Sequence, residues 1–198
     1  MGNISLKKGQ AVSLSKGGVN LTHVRAGLGW DVNENKSDYE YDLDASVFLL
    51  KENGCVRTQD DFIFYNNLRS KEGTVEHMGD NLTGGGDGDD EVIKVNLEDM
   101  PSNVNEVVFV VTMFEAEQRK QNFGQVENAF IRIVDENTNK EVCRFDLTED
   151  YSACQSIIVG SIKRDGLNSW KFKAIGDGQK DDLMYICKKY GVSASYDD

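Results

Sequence analysis

The chain has few of the residues that usually mark a catalytic centre or a nucleic-acid surface. Its 198 residues include two histidines, four cysteines and one proline, Pro101, and its net charge is -12. A single proline excludes a proline-rich linker. The shortage of basic side chains argues against nucleic acid or an anionic membrane surface as a partner, because lysines and arginines are needed to bind both. The excess of acids instead favours a cation as the ligand.

The cysteine spacing and the absence of a long hydrophobic run exclude further classes of protein. Cys55, Cys143, Cys154 and Cys187 include no C-x-x-C pair, so the spacing of a zinc knuckle or a redox motif is missing. No charged-then-apolar leader follows Met1, and no apolar run reaches about 18 residues. We therefore expect a cytoplasmic protein with free, mostly buried thiols and no direct membrane insertion. The alternative is a secreted protein without its leader.

Short apolar runs separated by turn signals extend along most of the chain. The run Glu91–Leu97 alternates with a period of two, and Glu106–Phe114 is so continuously apolar that we expect burial on both faces of the strand. Turn-forming sequences join neighbouring runs at Asn53-Gly54, at residues 136–140 and at Asp165-Gly166. The pattern predicts an all-β fold, an antiparallel β-sandwich with a few short helices.

Helical signal is sparse and lies mainly near the C-terminus. Residues 181–191 begin with acids, end with lysines and stop at a glycine, which is typical of a helix. Residues 115–122 are a candidate for a second, shorter helix. We predict one domain over residues 1–191 and a short C-terminal tail over residues 192–198.

The segment GDNLTGGGDGDDE (79–91) concentrates five carboxylates and five glycines without a lysine or arginine. Close carboxylates repel one another by roughly 1 kcal/mol or more per pair near a protein surface. The carboxylates of Asp80, Asp89, Asp90 and Glu91, the amide oxygen of Asn81 and the hydroxyl of Thr83 are the oxygen donors that the segment offers. Calcium accepts six to eight such oxygens in a flexible cage, and the glycines would let backbone carbonyls turn inward.

A second group of acids precedes this segment and includes Asp31, Asp42 and Asp44. The alternation in Asp42-Leu43-Asp44 places both carboxylates on one side of a predicted strand. Two simpler explanations stay open: the acidic segment is a solvated loop, and the Asp42–Asp44 pair protects a sheet edge by its charge.

Known cation and phosphate motifs do not fit the acidic segment. The EF-hand spacing fails at Leu82 when it starts at Asp80 and at Val92 when it starts at Asp87. The nonapeptide calcium repeat fits residues 85–90 but occurs once. A phosphate-binding loop requires a lysine that is missing here. Magnesium is disfavoured as the ion because it demands tight octahedral geometry.

The chain resembles the TerD-type tellurium-resistance and stress-response family along nearly its whole length. The matching motifs are AGLGWD (26–31), YDLDAS (41–46), DFIFYNNL (61–68), GDNLTGGGDGDDE (79–91), FVVTMFEA (109–116), NFGQVENAFIRIV (122–134), FDLTED (145–150) and WKFKAIG (170–176). The resemblance implies a β-sandwich that binds two calcium ions at one end and has no established enzymatic activity. Phe114 stands where relatives commonly carry histidine, and residues 176–182 depart from the family pattern.

The resemblance also implies a set of calcium ligands. Matches to the acidic motif are Asp80, Asn81, Thr83, Asp89, Asp90 and Glu91, and matches on the facing strands are Asp31, Asp42 and Asp44. The strand residues would close the cage. Asp87 falls at a variable position, so only its carbonyl is expected to matter. Asn66 and Asn67 also match, but a role in capping a turn is equally open.

Three functions are compatible with the sequence. The first is a non-catalytic, calcium-binding module of the stress response, associated with resistance to tellurite and other toxic agents; the resemblance implies protein partners in a membrane-associated stress complex. The second is a metal-dependent phosphoester hydrolase that uses the same acids, but His23 and His77 are the only histidines, and a lone histidine such as His77 is more often solvated or capping. The third is a protein-interaction scaffold without a functional metal.

Overall fold

The protein consists mainly of two β-sheets that enclose one hydrophobic core. The computed structural model describes residues 4–31, 41–79 and 88–193. Numbered along the chain, the strands of the first sheet are β1 (Ile4–Leu6), β5 (His23–Gly29), β8 (Val75–His77), β9 (Glu91–Asn96), β11 (Phe130–Asp135) and β12 (Lys140–Asp146). Those of the second sheet are β2 (Ala11–Ser13), β6 (Leu43–Leu50), β7 (Phe62–Ile63), β10 (Glu106–Met113), β13 (Ser156–Arg164) and β14 (Trp170–Gln179). The short strands β3 (Ser15–Lys16) and β4 (Val19–Asn20) form a separate hairpin.

The strand order identifies an antiparallel-rich sandwich, as predicted. The first sheet runs β1-β12-β11-β5-β9-β8, and the second runs β2-β14-β13-β10-β6-β7. Within the described residues, β1 and β12 form the one parallel pair, and the other pairs are antiparallel. Side chains from both sheets form the main core, which includes Val24 and Ile93 of the first sheet and Val47 and Phe109 of the second.

The central strands of the second sheet are buried on both faces. Along β6, Val47 and Leu49 face the core between the sheets, whereas Phe48 and Leu50 belong to a second cluster on the outer face. Strand β10 alternates in the same way. The continuous apolar run of β10 therefore reflects burial on two sides, which confirms the prediction from the sequence.

Helix α2 (Leu183–Tyr190) covers this outer face, and α1 (Ala116–Arg119) is the other α-helix in the described part of the chain. Ile186 and Tyr190 of α2 pack in the outer cluster with Phe48. The Asp182 side chain caps α2, because its Oδ1 accepts hydrogen bonds from the next backbone N–H groups of the first turn at 3.0 and 3.3 Å. Gly191 ends the helix with a φ of 80°.

The predicted hairpins join β11 to β12 and β13 to β14. The segment 60–66, predicted as a strand, is paired with β6 only at Phe62–Ile63. Asp61 belongs to the 3₁₀ turn before it, and its carboxylate binds Arg57 at 2.6 Å. After it, Phe64 and Asn67 close a tight turn by mutual backbone hydrogen bonds, and the Asn67 amide donates to the Phe62 carbonyl at 2.6 Å. Turn formation on both sides thus shortens β7.

The cysteines are free, and two of them are buried. Burial raises the pKa of Cys143 to about 12 and that of Cys187 to about 11, which keeps both thiols protonated. Val192 packs in the outer cluster, and the boundary at residue 191 stays a prediction. Within the described ranges, neither helix has the length and apolar content needed to cross a membrane.

Replacing the capping residue of α2 tests how firmly the helix is held on the sheet. We expect Asp182→Ala to lower the free energy of unfolding by about 1 kcal/mol, because two N–H groups of the first turn lose their acceptor. Urea unfolding measures the change. Asp181→Ala is the matched control, since the exposed Asp181 contributes a backbone carbonyl to Ser156 and should stay within about 0.5 kcal/mol of the parent.

Candidate cation site

One end of the sandwich brings together the end of β5, the start of β6 and the start of β9. Strand β9 begins at Glu91, which lies opposite Leu28 near the end of β5. The Glu91 carboxylate crosses to the second sheet and accepts a hydrogen bond from the Ala45 N–H at 2.6 Å. This contact brings the start of β6 to the same end of the molecule.

Asp31 and Asp90 line one open cleft of about 430 Å³ at this end, together with Asn128. The Asp90 Oδ2 accepts the Trp30 backbone N–H at 2.8 Å, and the Asp31 Oδ2 accepts the Asn128 side-chain amide at 2.6 Å. Arg144 also lines the cleft. Its guanidinium stacks on the ring of Phe130 and forms an ion pair with Asp146. The cleft therefore offers two carboxylates and one amide to a ligand.

The surroundings of Asp90 disfavour its ionised form. Burial raises the pKa of Asp90, the Trp30 N–H partly opposes this, and the negative charges of Asp89 and Asp31 raise it further. A divalent cation near Asp90 would reverse the sign of these interactions. Carboxylate and amide oxygens are also the donors that calcium takes, so the residues present fit such an ion.

Asp89 contacts different residues from Asp90, because the chain bends at residues 88–90 before β9 begins. Its side chain is 5% exposed, and its Oδ1 is 2.7 Å from the Arg132 Nε. The carboxylate lies directly over Gly27, where a Cβ atom would collide with it. Gly27 is thus the β5 residue that leaves room for the Asp89–Arg132 ion pair on the outer face of the first sheet.

Glu91 and His77 lie on the core side of the same end. Glu91 is 1% and His77 is 3% exposed. The His77 Nε2 is 3.2 Å from the Ala45 carbonyl oxygen and 3.7 Å from the Glu91 Oε2. The expectation of a solvated histidine in a turn is wrong, because His77 is the last residue of β8 and faces inward.

Asp42 and Asp44 lie on the other side of β6 from Glu91. Leu43 and Ala45 face the core, so alternation directs both aspartates to the outer face of the second sheet. The Asp42 Oδ2 is 3.3 Å from the Arg119 guanidinium, and neither aspartate lines the cleft of Asp31. Asp42 and Asp44 therefore lie on the face of β6 opposite to the core face on which Glu91 is buried.

The remaining predicted ligands, Asp80, Asn81 and Thr83, lie outside the described residues. Within residues 4–31, 41–79 and 88–193, no three histidine, cysteine, aspartate or glutamate side chains are grouped as a metal ion would require.

Several residues of this end were missed by the sequence analysis. Arg132, Arg119 and Asn128 contact predicted ligands, yet each comes from a distant part of the chain. Asn128 has a φ of 53°, a left-handed conformation that asparagine tolerates better than most residues. Its position inside a family motif was the one signal that could have indicated it.

These features define a β-sandwich with an acidic cleft at one end, and the comparisons with known proteins agree. The TerD domain model matches residues 1–190. The chain is 49% identical to the tellurium resistance protein TerD of Serratia marcescens over 98% of this chain and 100% of that protein. It is 51% identical to general stress protein 16U of Bacillus subtilis over 96% of this chain and 97% of that protein.

A solved homologue of the telluride resistance protein TerD from Streptomyces coelicolor has the same fold. The two structures superimpose with a TM-score of 0.69 at 19% sequence identity. The aligned region covers 84% of this chain and 95% of the Streptomyces chain. The chain belongs to the TerD domain family, whose relatives carry tellurium-resistance and stress-response names.

Removing one charge from the cleft tests the strain on Asp90. We expect Asp90→Asn to raise the melting temperature in chelator by about 2 °C, because the amide oxygen keeps the Trp30 hydrogen bond while the repulsion from neighbouring acids ends. Differential scanning calorimetry in chelator measures the change. Glu98→Gln removes an equal charge at an exposed position and should leave the melting temperature unchanged. A lower melting temperature for Asp90→Asn would contradict the argument.

A double-mutant cycle tests the packing contact between the Asp89 carboxylate and Gly27. We expect Gly27→Ala to lower the free energy of unfolding by about 1–3 kcal/mol, because the new methyl group displaces the Asp89 carboxylate from Arg132. In an Asp89→Ala background the same change should cost less, since the group it displaces is gone. Urea unfolding of the four proteins measures the coupling, and strictly additive effects would argue against this contact.

Proposed function

We propose that the protein is a non-catalytic, calcium-binding module of the stress response. The observation that carries the proposal is the cleft in which Asp31, Asp90 and the Asn128 amide meet. Two carboxylates line the same open cleft there, and each accepts a hydrogen bond from an uncharged donor, the Trp30 N–H for Asp90 and the Asn128 amide for Asp31. Their mutual repulsion supports binding of a divalent cation, because the ion converts an unfavourable interaction into a favourable one.

The other predicted ligands are assigned to the proposed site by the chain segments that contain them. Asp80, Asn81 and Thr83 belong to the segment between β8 and β9, which leads directly into the cleft-lining Asp90. Glu91 would act from the core side, where its Oε2 holds the Ala45 N–H. Asp42 and Asp44 are proposed for a second calcium ion at the outer face of the second sheet, where it would replace the Arg119 partner of Asp42. Asp89 would join the ion of the cleft only where that ion replaces Arg132.

Calcium would act on this protein through its stability. Two bound ions change the formal charge from -12 to -8, since each adds two. An ion that binds only the folded chain stabilises it by RT ln(1 + [L]/Kd), about 2.7 kcal/mol at a hundredfold excess over Kd. The module would thereby report calcium to protein partners, and we propose a membrane-associated stress complex as their setting. Because relatives are named for tellurium resistance, such partners should be sought in cells under tellurite stress.

The contacts of the two histidines support a non-catalytic role. His77 has both ring nitrogens against backbone groups, and His23 bonds Thr22 with its Nδ1 at 3.0 Å. A general base must reach the proton that it removes, and neither ring lines the cleft that contains Asp90. The alternative function, phosphoester hydrolysis, would require turnover that disappears in Asp90→Asn.

Calorimetric titration with calcium tests the proposed function. We expect two ions per chain, a melting temperature that rises by several degrees in excess calcium, and a smaller rise in magnesium. Asp31→Asn and Asp90→Asn should each weaken binding about tenfold or more, since each removes a full ligand charge. Glu98→Gln should bind as the parent does. A protein whose melting temperature and heats of titration ignore both calcium and chelator would contradict the proposal.

A further inference from the structure

The imidazole ring of His77 is buried and hydrogen-bonds to two backbone groups. The side chain is 1% exposed. Its Nδ1 accepts a hydrogen bond from the Gly79 N–H at 3.2 Å, and its Nε2 lies 3.2 Å from the Ala45 carbonyl oxygen. A backbone N–H can only donate, so Nδ1 carries the lone pair and Nε2 carries the proton, which it donates to Ala45. Both ring nitrogens are therefore occupied by backbone groups.

The partners of this ring belong to two segments that carry candidate ligands, the acidic segment and the start of β6. Gly79 opens the acidic segment, and Glu91, 3.7 Å from the Nε2 of His77, closes it. Ala45 follows Asp44 at the start of β6. A single imidazole thus fixes the distance between both ends of the acidic segment and the strand that faces them.

Ala45 lies at a buried edge of the second sheet, where His77 and Glu91 bond to its backbone in place of a neighbouring strand. Strand β7 pairs with β6 only at Val47 and Phe48, so Ala45 lies beyond the end of that neighbour. Its N–H donates to Glu91, and its carbonyl accepts from His77. Buried backbone groups require partners, and here side chains from the first sheet supply them. These bonds connect the two sheets at the end that contains the cleft.

We infer that His77 is a positioning residue of the proposed calcium site and not one of its ligands. This inference rests on the proposed function. The ring holds Gly79, Glu91 and Ala45 at fixed separations, so Glu91 and the neighbouring Asp90 lose less conformational entropy when an ion binds. With a donor on Nδ1 and an acceptor on Nε2, the ring has no lone pair left for a metal ion.

The test is calcium titration of the full chain and two variants of His77. His77→Phe keeps a ring but removes both hydrogen bonds, and we expect its calcium affinity to fall about tenfold. His77→Asn keeps an oxygen near the position of Nδ1 that can accept from Gly79, and we expect a loss of about threefold. This order, with asparagine between phenylalanine and histidine, follows from the geometry of the two hydrogen bonds.

Ile133→Ala is the matched control, because it truncates a fully buried side chain of β11 in the main core away from these contacts. It should lower stability in chelator while leaving the calcium affinity within about twofold of the parent. Unchanged affinity in His77→Phe, or an equal loss in Ile133→Ala, would overturn the positioning role while the proposed function stands. A parent protein that binds no calcium would overturn both.

Nitrogen NMR of the labelled parent protein distinguishes a positioning residue from a metal ligand at His77. We expect the His77 ring to keep its proton on Nε2, and the Gly79 amide to keep its hydrogen bond, both in chelator and in calcium. Coupling between a ring nitrogen and bound cadmium, used in place of calcium, would overturn the inference by making His77 a ligand. This measurement decides the question even where His77→Phe does not fold.

Discussion

Repulsion between carboxylates is the constraint that the acidic end of this sandwich has to satisfy. Asp89 is neutralised by Arg132, and Glu91 is held by a backbone N–H. In the cleft, Asp90 and Asp31 accept from the Trp30 N–H and the Asn128 amide, donors that carry no charge. Burial raises the pKa of Asp90, and the nearby charges of Asp89 and Asp31 raise it further. The proposed cation would supply the positive charge at this point.

The sandwich supports this arrangement because its second sheet is packed on both faces. Strands β6 and β10 send alternate side chains into the main core and into the cluster under α2, so the start of β6 is fixed from two sides. Glu91 and His77 then connect Ala45 of β6 to the first sheet. The described ends of the acidic segment are thereby fixed, Gly79 by His77 of β8 and Glu91 by Ala45 of β6.

The sequence predicted the elements whose signals are local. The run of β10, the turns before β12 and β14, and the capped helix α2 follow from periodicity, turn residues and end signals over about ten neighbouring residues. Strand β7 was predicted too long because hydrogen bonds of Asp61 and Asn67 form turns that compete with the ladder. The partners of the predicted ligands were missed, because Arg132 lies 43 residues from Asp89 and Arg119 lies 77 residues from Asp42.

By itself the sequence determined the class of fold, the family and the list of oxygen-bearing side chains, since each depends on residue type and short spacing. Only the tertiary structure decided how those side chains are distributed: Asp31 with Asp90 in a cleft, Asp89 over Gly27, and Glu91 in the core. The physical reason is that the chain bends at residues 88–90 and β9 begins only at Glu91, so strand alternation does not set where Asp89 and Asp90 point. Their partners Arg132 and Trp30 come from distant parts of the chain, which only the tertiary fold brings to them.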